Sequence, residues 1–146
     1  MKYDPMSYTH RAALAQGVLA TVKDKGFLPQ PVEGCREEVY GKRVNQRIQI
    51  RVYTSIEGGE VRDCGDDAIR VCTVYSTNDG GVRGVGRETR VNRVGDINAI
   101  VVRLAERIAT SLAAVKEIPC CEQCGAPKFK SKKGNMVCAD LCWKRW

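Results

Sequence analysis

The chain has 146 residues, with 24 Lys plus Arg against 17 Asp plus Glu and a net charge of +7. That length suits one domain with an appendage, and 43 % hydrophobic residues are enough for a core, while 6 % aromatics exclude a large aromatic-lined cofactor pocket. No apolar stretch approaches the ~20 residues of a membrane span, and Met1-Lys2-Tyr3-Asp4-Pro5 opens no apolar run of the secretory kind. The expectation is a soluble protein of the cytoplasm (the host cytoplasm if phage-encoded) with no membrane partner. The positive excess favours a polyanion as partner.

Ser7 is placed to cap a first helix through Arg11, Leu14, Val18 and Val22, with Gly26 as its stop and Pro29 beyond. Residues 27–38 carry Pro29, Pro31 and Gly34 and read as a loop. Next, Ile48, Ile50, Val52 and Ile56 alternate with Arg47, Gln49, Arg51 and Tyr53. This period of two predicts a strand with one apolar face and one basic, polar face. Gly58-Gly59 reads as a hairpin turn into a second strand, Ala68 to Ser76, in which Cys72 reads as a small core residue. Asn78-Asp79-Gly80-Gly81 turns again, and Arg87 to Val94 is expected as a third, antiparallel strand.

Gly95-Asp96 then caps a long helix whose Ile97, Ile100, Val101, Leu104, Ile108 and Leu112 form an apolar stripe. The fold class is therefore α+β. Its order is α-β-β-β-α, with a three-stranded antiparallel sheet packed by the long helix over residues 1–117, followed by a small finger over 118–146. The free face of the sheet would present Arg47, Arg51 and Tyr53.

Five of the eight Cys fall late: Cys120, Cys121, Cys124, Cys138 and Cys142. A stapled secreted domain would spread its cysteines more evenly; clustered pairs read as metal ligands. Cys121-Glu122-Gln123-Cys124-Gly125 is a C-x2-C-G knuckle, and Cys138-Ala139-Asp140-Leu141-Cys142 is a C-x3-C pair. Such pairs can converge on one structural Zn2+, which takes four thiolates at about 2.3 Å. Without metal so small a segment lacks a core to fold on. Exchange of Cys120 for Cys121 as ligand is left open by the spacing. Lys128, Lys130, Lys132 and Lys133 lie between the pairs with Phe129, and Trp146 ends the chain.

The segment from Cys121 to Trp146 resembles a treble-clef or zinc-ribbon finger, in which a knuckle, a basic hairpin and a C-x3-C at the start of a terminal helix recur. The resemblance implies Cys121, Cys124, Cys138 and Cys142 as ligands. In element order, and in Arg-bearing hairpins ahead of a long helix, the core is similar to that of single-strand annealing proteins. That likeness implies pairing of complementary DNA by a homo-oligomeric ring. The stretches Val52 to Ile56 and Val91 to Gly95 also resemble small phage-type proteins of unknown activity.

Gly81 to Arg93 holds Arg83, Arg87, Arg90 and Arg93 among three Gly. Arginines on a strand can bind phosphates bidentately where glycine permits close approach. The nucleic-acid contacts expected are Arg47, Arg51, Arg87, Arg90 and Arg93 on the sheet and Lys128, Lys130, Lys132 and Lys133 on the finger. Tyr53 and Trp146 would stack on unpaired bases. DNA, single-stranded, is preferred to RNA. An enzymatic alternative pairs Asp67 with Glu88 around Mg2+ as a nuclease, but Arg90 stands where such sites use Lys. A third alternative is a zinc-stabilised adaptor that binds another protein.

Overall fold

Helix α1 runs over Tyr8–Asp24 and buries Leu14, Val18 and Val22 completely. The computed structural model describes residues 8–62 and 69–139 of the chain. Gly26 stops α1 at φ +84°, where its N–H reaches the Lys23 carbonyl and the Phe27 N–H reaches that of Val22. This double closure needs a left-handed residue, and it drives Phe27 into the core.

The sheet has five strands, not three, all antiparallel in the order Leu28–Pro29 (β1), Val39–Arg43 (β2), Ile48–Tyr53 (β3), Ile69–Ser76 (β6) and Val82–Val91 (β7). Strand β3 (Ile48–Tyr53) follows the expected alternation, with Ile48, Ile50 and Val52 fully buried. On its far side lie β6 (Ile69–Ser76) and β7 (Val82–Val91). The two unexpected strands are β1 (Leu28–Pro29), inside the anticipated loop, and β2 (Val39–Arg43). Strand β2 escapes a period-two reading because Val39, Tyr40 and Gly41 are all buried in succession. The Gln49 side chain lies across Gly41, within 2.4 Å of where a Cβ would stand, so any larger residue there would displace the Gln49 amide.

Gly58-Gly59 does turn the chain, but within a small hairpin of its own, β4 (Ile56–Glu57) against β5 (Glu60–Val61). Ile56 and Val61 are fully buried in the same cluster as α1. The third long strand also starts and ends earlier than Arg87 to Val94. It passes through a bulge where the register shifts between Val71 and Thr73, and Gly86 takes φ +72°. Beyond Val91 the chain leaves the sheet, and Arg103 donates to the carbonyls of Asn92 and Val94.

Helix α2 (Ile97–Val115) begins as expected, with the Asp96 carboxylate accepting the Ala99 N–H at 2.8 Å. Ile100, Leu104 and Ile108 are fully buried. Helix α2 lies against β6 and β7, and α1 lies against α2 and β5. Their apolar residues join those of the sheet in one cluster, so the architecture is α+β in two layers with the core between them. Full burial of each large aliphatic side chain contributes about 1.5–3 kcal/mol. Among the described residues no helix is long and apolar enough to cross a membrane.

Candidate metal centre and the basic surfaces

After α2 the chain builds a knuckle and a hairpin. Gly125 sits at φ +79°, its N–H donating to the Cys121 carbonyl at 2.8 Å, while the Cys121 N–H reaches the Ala126 carbonyl at 2.7 Å. The hairpin follows as β8 (Lys128–Lys130) and β9 (Met136–Cys138), in which Lys128 stands opposite Cys138. This register returns Cys138 over the knuckle, and the Ala139 N–H locks it to the Pro127 carbonyl at 2.8 Å.

The sulfurs of Cys121, Cys124 and Cys138 consequently lie within 4.8 Å of one another. Those of Cys124 and Cys138 are 3.4 Å apart. Thiolates at about 2.3 Å around a tetrahedral ion are spaced by roughly 3.8 Å, so three corners of such a site are assembled. Cys121 and Cys138 are buried and belong to the same apolar cluster as the sheet core. Soft sulfur donors of this kind suit zinc, iron or cuprous copper rather than magnesium or calcium. The expected fourth ligand, Cys142, lies outside the described residues, as do Asp67 and Trp146. Cys120 is not one of the group. Its thiol donates to the Ile118 carbonyl at 3.5 Å and accepts the Asn45 amide at 3.7 Å.

The lysines of the hairpin face solvent. Lys130, Lys132 and Lys133 are exposed, with Phe129 at 45 % and Met136 at 49 % exposure among them. Lys128 reaches the Glu122 carboxylate at 3.1 Å.

The arginines of the sheet are differently employed. Arg51, opposite Cys72 on the face away from the helices, is only 9 % exposed. Its Nε donates to Gln49 Oε1 at 2.7 Å and its guanidinium reaches the Tyr53 hydroxyl at 3.5 Å. Arg47 donates to the Ser76 carbonyl at 2.7 Å, and Arg93, beyond the end of β7, donates to the Arg62 carbonyl at 2.9 Å. Arg90 is open, its side chain 66 % exposed and 3.9 Å from Glu88, and Arg83 on the same strand is exposed as well. Arg87 lies within β7. Tyr53 presents its ring to the Arg70 guanidinium, 4.7 Å from the centroid. Glu88, the carboxylate of the nuclease alternative, stands between Arg70 at 3.8 Å and Arg90 at 3.9 Å.

At one end of this face, where the chain enters β2 and leaves β3, is a group that sequence reading missed. Glu37, 8 % exposed, accepts the Ser55 N–H at 3.0 Å and the guanidiniums of Arg62 and Arg70, each at 3.1 Å. Its partners are 18, 25 and 33 residues away, so no local pattern announces it. Ser55 adopts φ +63°, a conformation that the contact with Glu37 helps to hold.

Cys72 also departs from expectation. It points to this outer face, not into the core, beside a groove of about 300 Å³ at the β7 bulge lined by Tyr53, Arg70, Gly84, Gly86 and Glu88. Burial, and then the Glu88 carboxylate, push its thiol up to about 11 against the smaller pull of Arg51 and Arg70. At neutral pH it is protonated, which suits neither a nucleophile nor a metal ligand.

Comparison with protein-family models, with curated proteins and with solved structures finds no match for this chain.

Proposed function

We propose that this protein is a non-enzymatic nucleic-acid-binding protein that engages single-stranded DNA, and that its finger is folded around a zinc ion held by Cys121, Cys124, Cys138 and Cys142. The observation that carries this reading is the β8–β9 hairpin, which presents exposed Lys130, Lys132 and Lys133 and a half-exposed Phe129 on the segment between Cys124 and Cys138, two of the three convergent thiols. Lysines at a rigid tip neutralise phosphates, and an aromatic side chain among them offers a surface for an unpaired base. In this reading the zinc is structural: it orders the tip that carries the charge. On the sheet, Arg90 and Arg87 extend the contact, while Arg47, Arg51 and Arg93 serve chiefly to hold the face together.

The test is a titration of labelled single-stranded and duplex DNA over a salt series, with and without Mg2+. A wild-type preference for single strands is expected, with log K falling steeply against log salt. Replacing Lys130, Lys132 and Lys133 together by Ala should reduce that slope by about 2, at roughly 0.7 per single-strand phosphate contact. An unchanged slope in the triple variant would refute the hairpin as the binding tip. Strands shortened only when Mg2+ is present would promote the nuclease reading, and no binding at low salt would leave the protein-binding adaptor.

A further inference from the structure

The corner between β2 and β3 touches the metal-binding knuckle through one side chain. Asn45 uses both ends of its amide. Its Oδ1 accepts the backbone N–H groups of Arg47 at 2.7 Å and Ile48 at 2.8 Å, which fixes the amide plane. Its Nδ2 then points out of the corner and donates to the Gly125 carbonyl at 3.1 Å and to Cys120 Sγ at 3.7 Å. These partners lie 80 and 75 residues further along the chain. Oxygen and nitrogen are not interchangeable here, because two donors meet the Oδ1 end and a carbonyl meets the other.

The seam is tight as well as bonded. A Cβ on Gly125 would stand 3.0 Å from Gln46 Cγ and 3.5 Å from Arg47 Cγ. Behind the corner, the Ser76 N–H donates to the Arg47 carbonyl at 2.9 Å and the Arg47 guanidinium returns to the Ser76 carbonyl, so the corner is itself tied to β6. Ahead of it, Gly125 hydrogen-bonds Cys121, one of the three convergent thiols.

We propose that Asn45 is a positioning residue that couples metal loading of the finger to the order of the β2–β3 corner. A second consequence is that Cys120 serves this seam as a hydrogen-bonding thiol while Cys121 is the ligand. The proposal rests on the metal-binding reading of the three thiols and not on nucleic-acid binding. Residues that hold a ligand-bearing segment by hydrogen bonds outside the coordination sphere typically change metal affinity by 10–100-fold. Coupling of this kind acts in both directions: metal that orders the knuckle steadies the corner, and the corner pre-arranges the knuckle for metal.

Two substitutions separate the halves of the amide. Asn45→Asp keeps an oxygen for the Arg47 and Ile48 N–H groups but loses the donor toward Gly125 and Cys120; Asn45→Ala loses both. The full chain, freed of metal under reducing conditions, is titrated with Co2+ against a competing chelator and followed by the thiolate-to-cobalt absorption. Hydrogen exchange at the Arg47 and Ile48 amides is read with and without metal. The expected result is a wild-type thiolate band, a 10–100-fold weaker Co2+ affinity in Asn45→Asp with the band shape kept, and faster exchange of both amides in wild type once metal is removed. Cys120→Ser should leave the band intact, whereas Cys121→Ser should weaken and shift it.

Co2+ affinity unchanged in Asn45→Asp, exchange at both amides insensitive to metal, or a band lost in Cys120→Ser rather than Cys121→Ser would each overturn the proposal. Absence of any thiolate band in wild type would overturn the metal reading itself, and this inference with it. Should Asn45→Ala not fold, Asn45→Asp decides alone.

Discussion

On the outer face of the sheet, Arg51 donates to Gln49, Arg62 and Arg70 to Glu37, and Arg47 to a backbone carbonyl. On the β8–β9 hairpin, Lys130, Lys132 and Lys133 are exposed to water. The same excess of cationic residues is thus used in two ways, and the surroundings account for the difference. A side chain in mid-sheet has cross-strand neighbours about 4.5–5.5 Å away, and a partly buried cation there needs acceptors close by. A hairpin of two three-residue strands offers few neighbours, so its cations keep their hydration and their field. Charge counted along the chain does not distinguish the two; placement does.

Metal removal should separate the regions most strongly. Structural zinc contributes about 10–16 kcal/mol to the folding of finger peptides, beside which the knuckle is held by the burial of Cys121, Ala126 and Cys138 and by the Asn45 hydrogen bonds. Chelation under reducing conditions should release exchange protection throughout 119–139, while the far-ultraviolet dichroism of α1 and α2 persists. Helices that melted together with the finger would show that the two regions are one cooperative unit and break the contrast.

A smaller effect is expected from the sheet side. Glu37→Gln removes the charge that Arg62 and Arg70 share, and hydrogen bonds to charged groups contribute about 1.5–3 kcal/mol. Both arginine side chains are about a third exposed, 30 % and 32 %, which places the loss toward the low end. Denaturant unfolding should register it with metal stoichiometry unchanged. A variant as stable as wild type would mean that the Glu37 group does not hold the outer face.

The effect that is smallest at neutral pH is one of alkaline titration. The Cys72 thiol is raised in the folded state from 9.0 to about 11. Its contribution to stability is therefore complete below pH 9 and is lost as pH rises toward 11, because the unfolded thiol ionises first. Cys72→Ser should flatten the alkaline arm of a stability-against-pH curve, and at neutral pH the wild-type thiol should react slowly with iodoacetamide. A variant with the same alkaline slope would assign that slope to other groups.

Much of this was legible along the chain. The stripe of α2 and its Asp96 cap, the alternation of β3, and the knuckle spacing around Gly125 are local patterns, and local geometry decides them. Strand β2 was not legible, because Val39, Tyr40 and Gly41 are buried in succession and leave no period of two. The early start of β7 was missed because the strand was expected to begin at Arg87, whereas it runs from Val82 through the bulge at Gly86. Arg70 and Glu37 were passed over for a related reason: the one sits on a strand and the other in a loop, and only the sheet brings them to 3.1 Å.

By itself, then, the sequence determined the α+β class, the long capped helix, the central strand and a cysteine spacing able to gather thiols, since each depends on a period or a gap of a few residues. The tertiary structure alone decided that Cys121 joins Cys124 and Cys138 while Cys120 turns to Asn45. It alone decided which cations are committed and which are open. Those outcomes depend on contacts between segments from 18 to 80 residues apart, and only the packing of sheet, corner and knuckle brings such segments together.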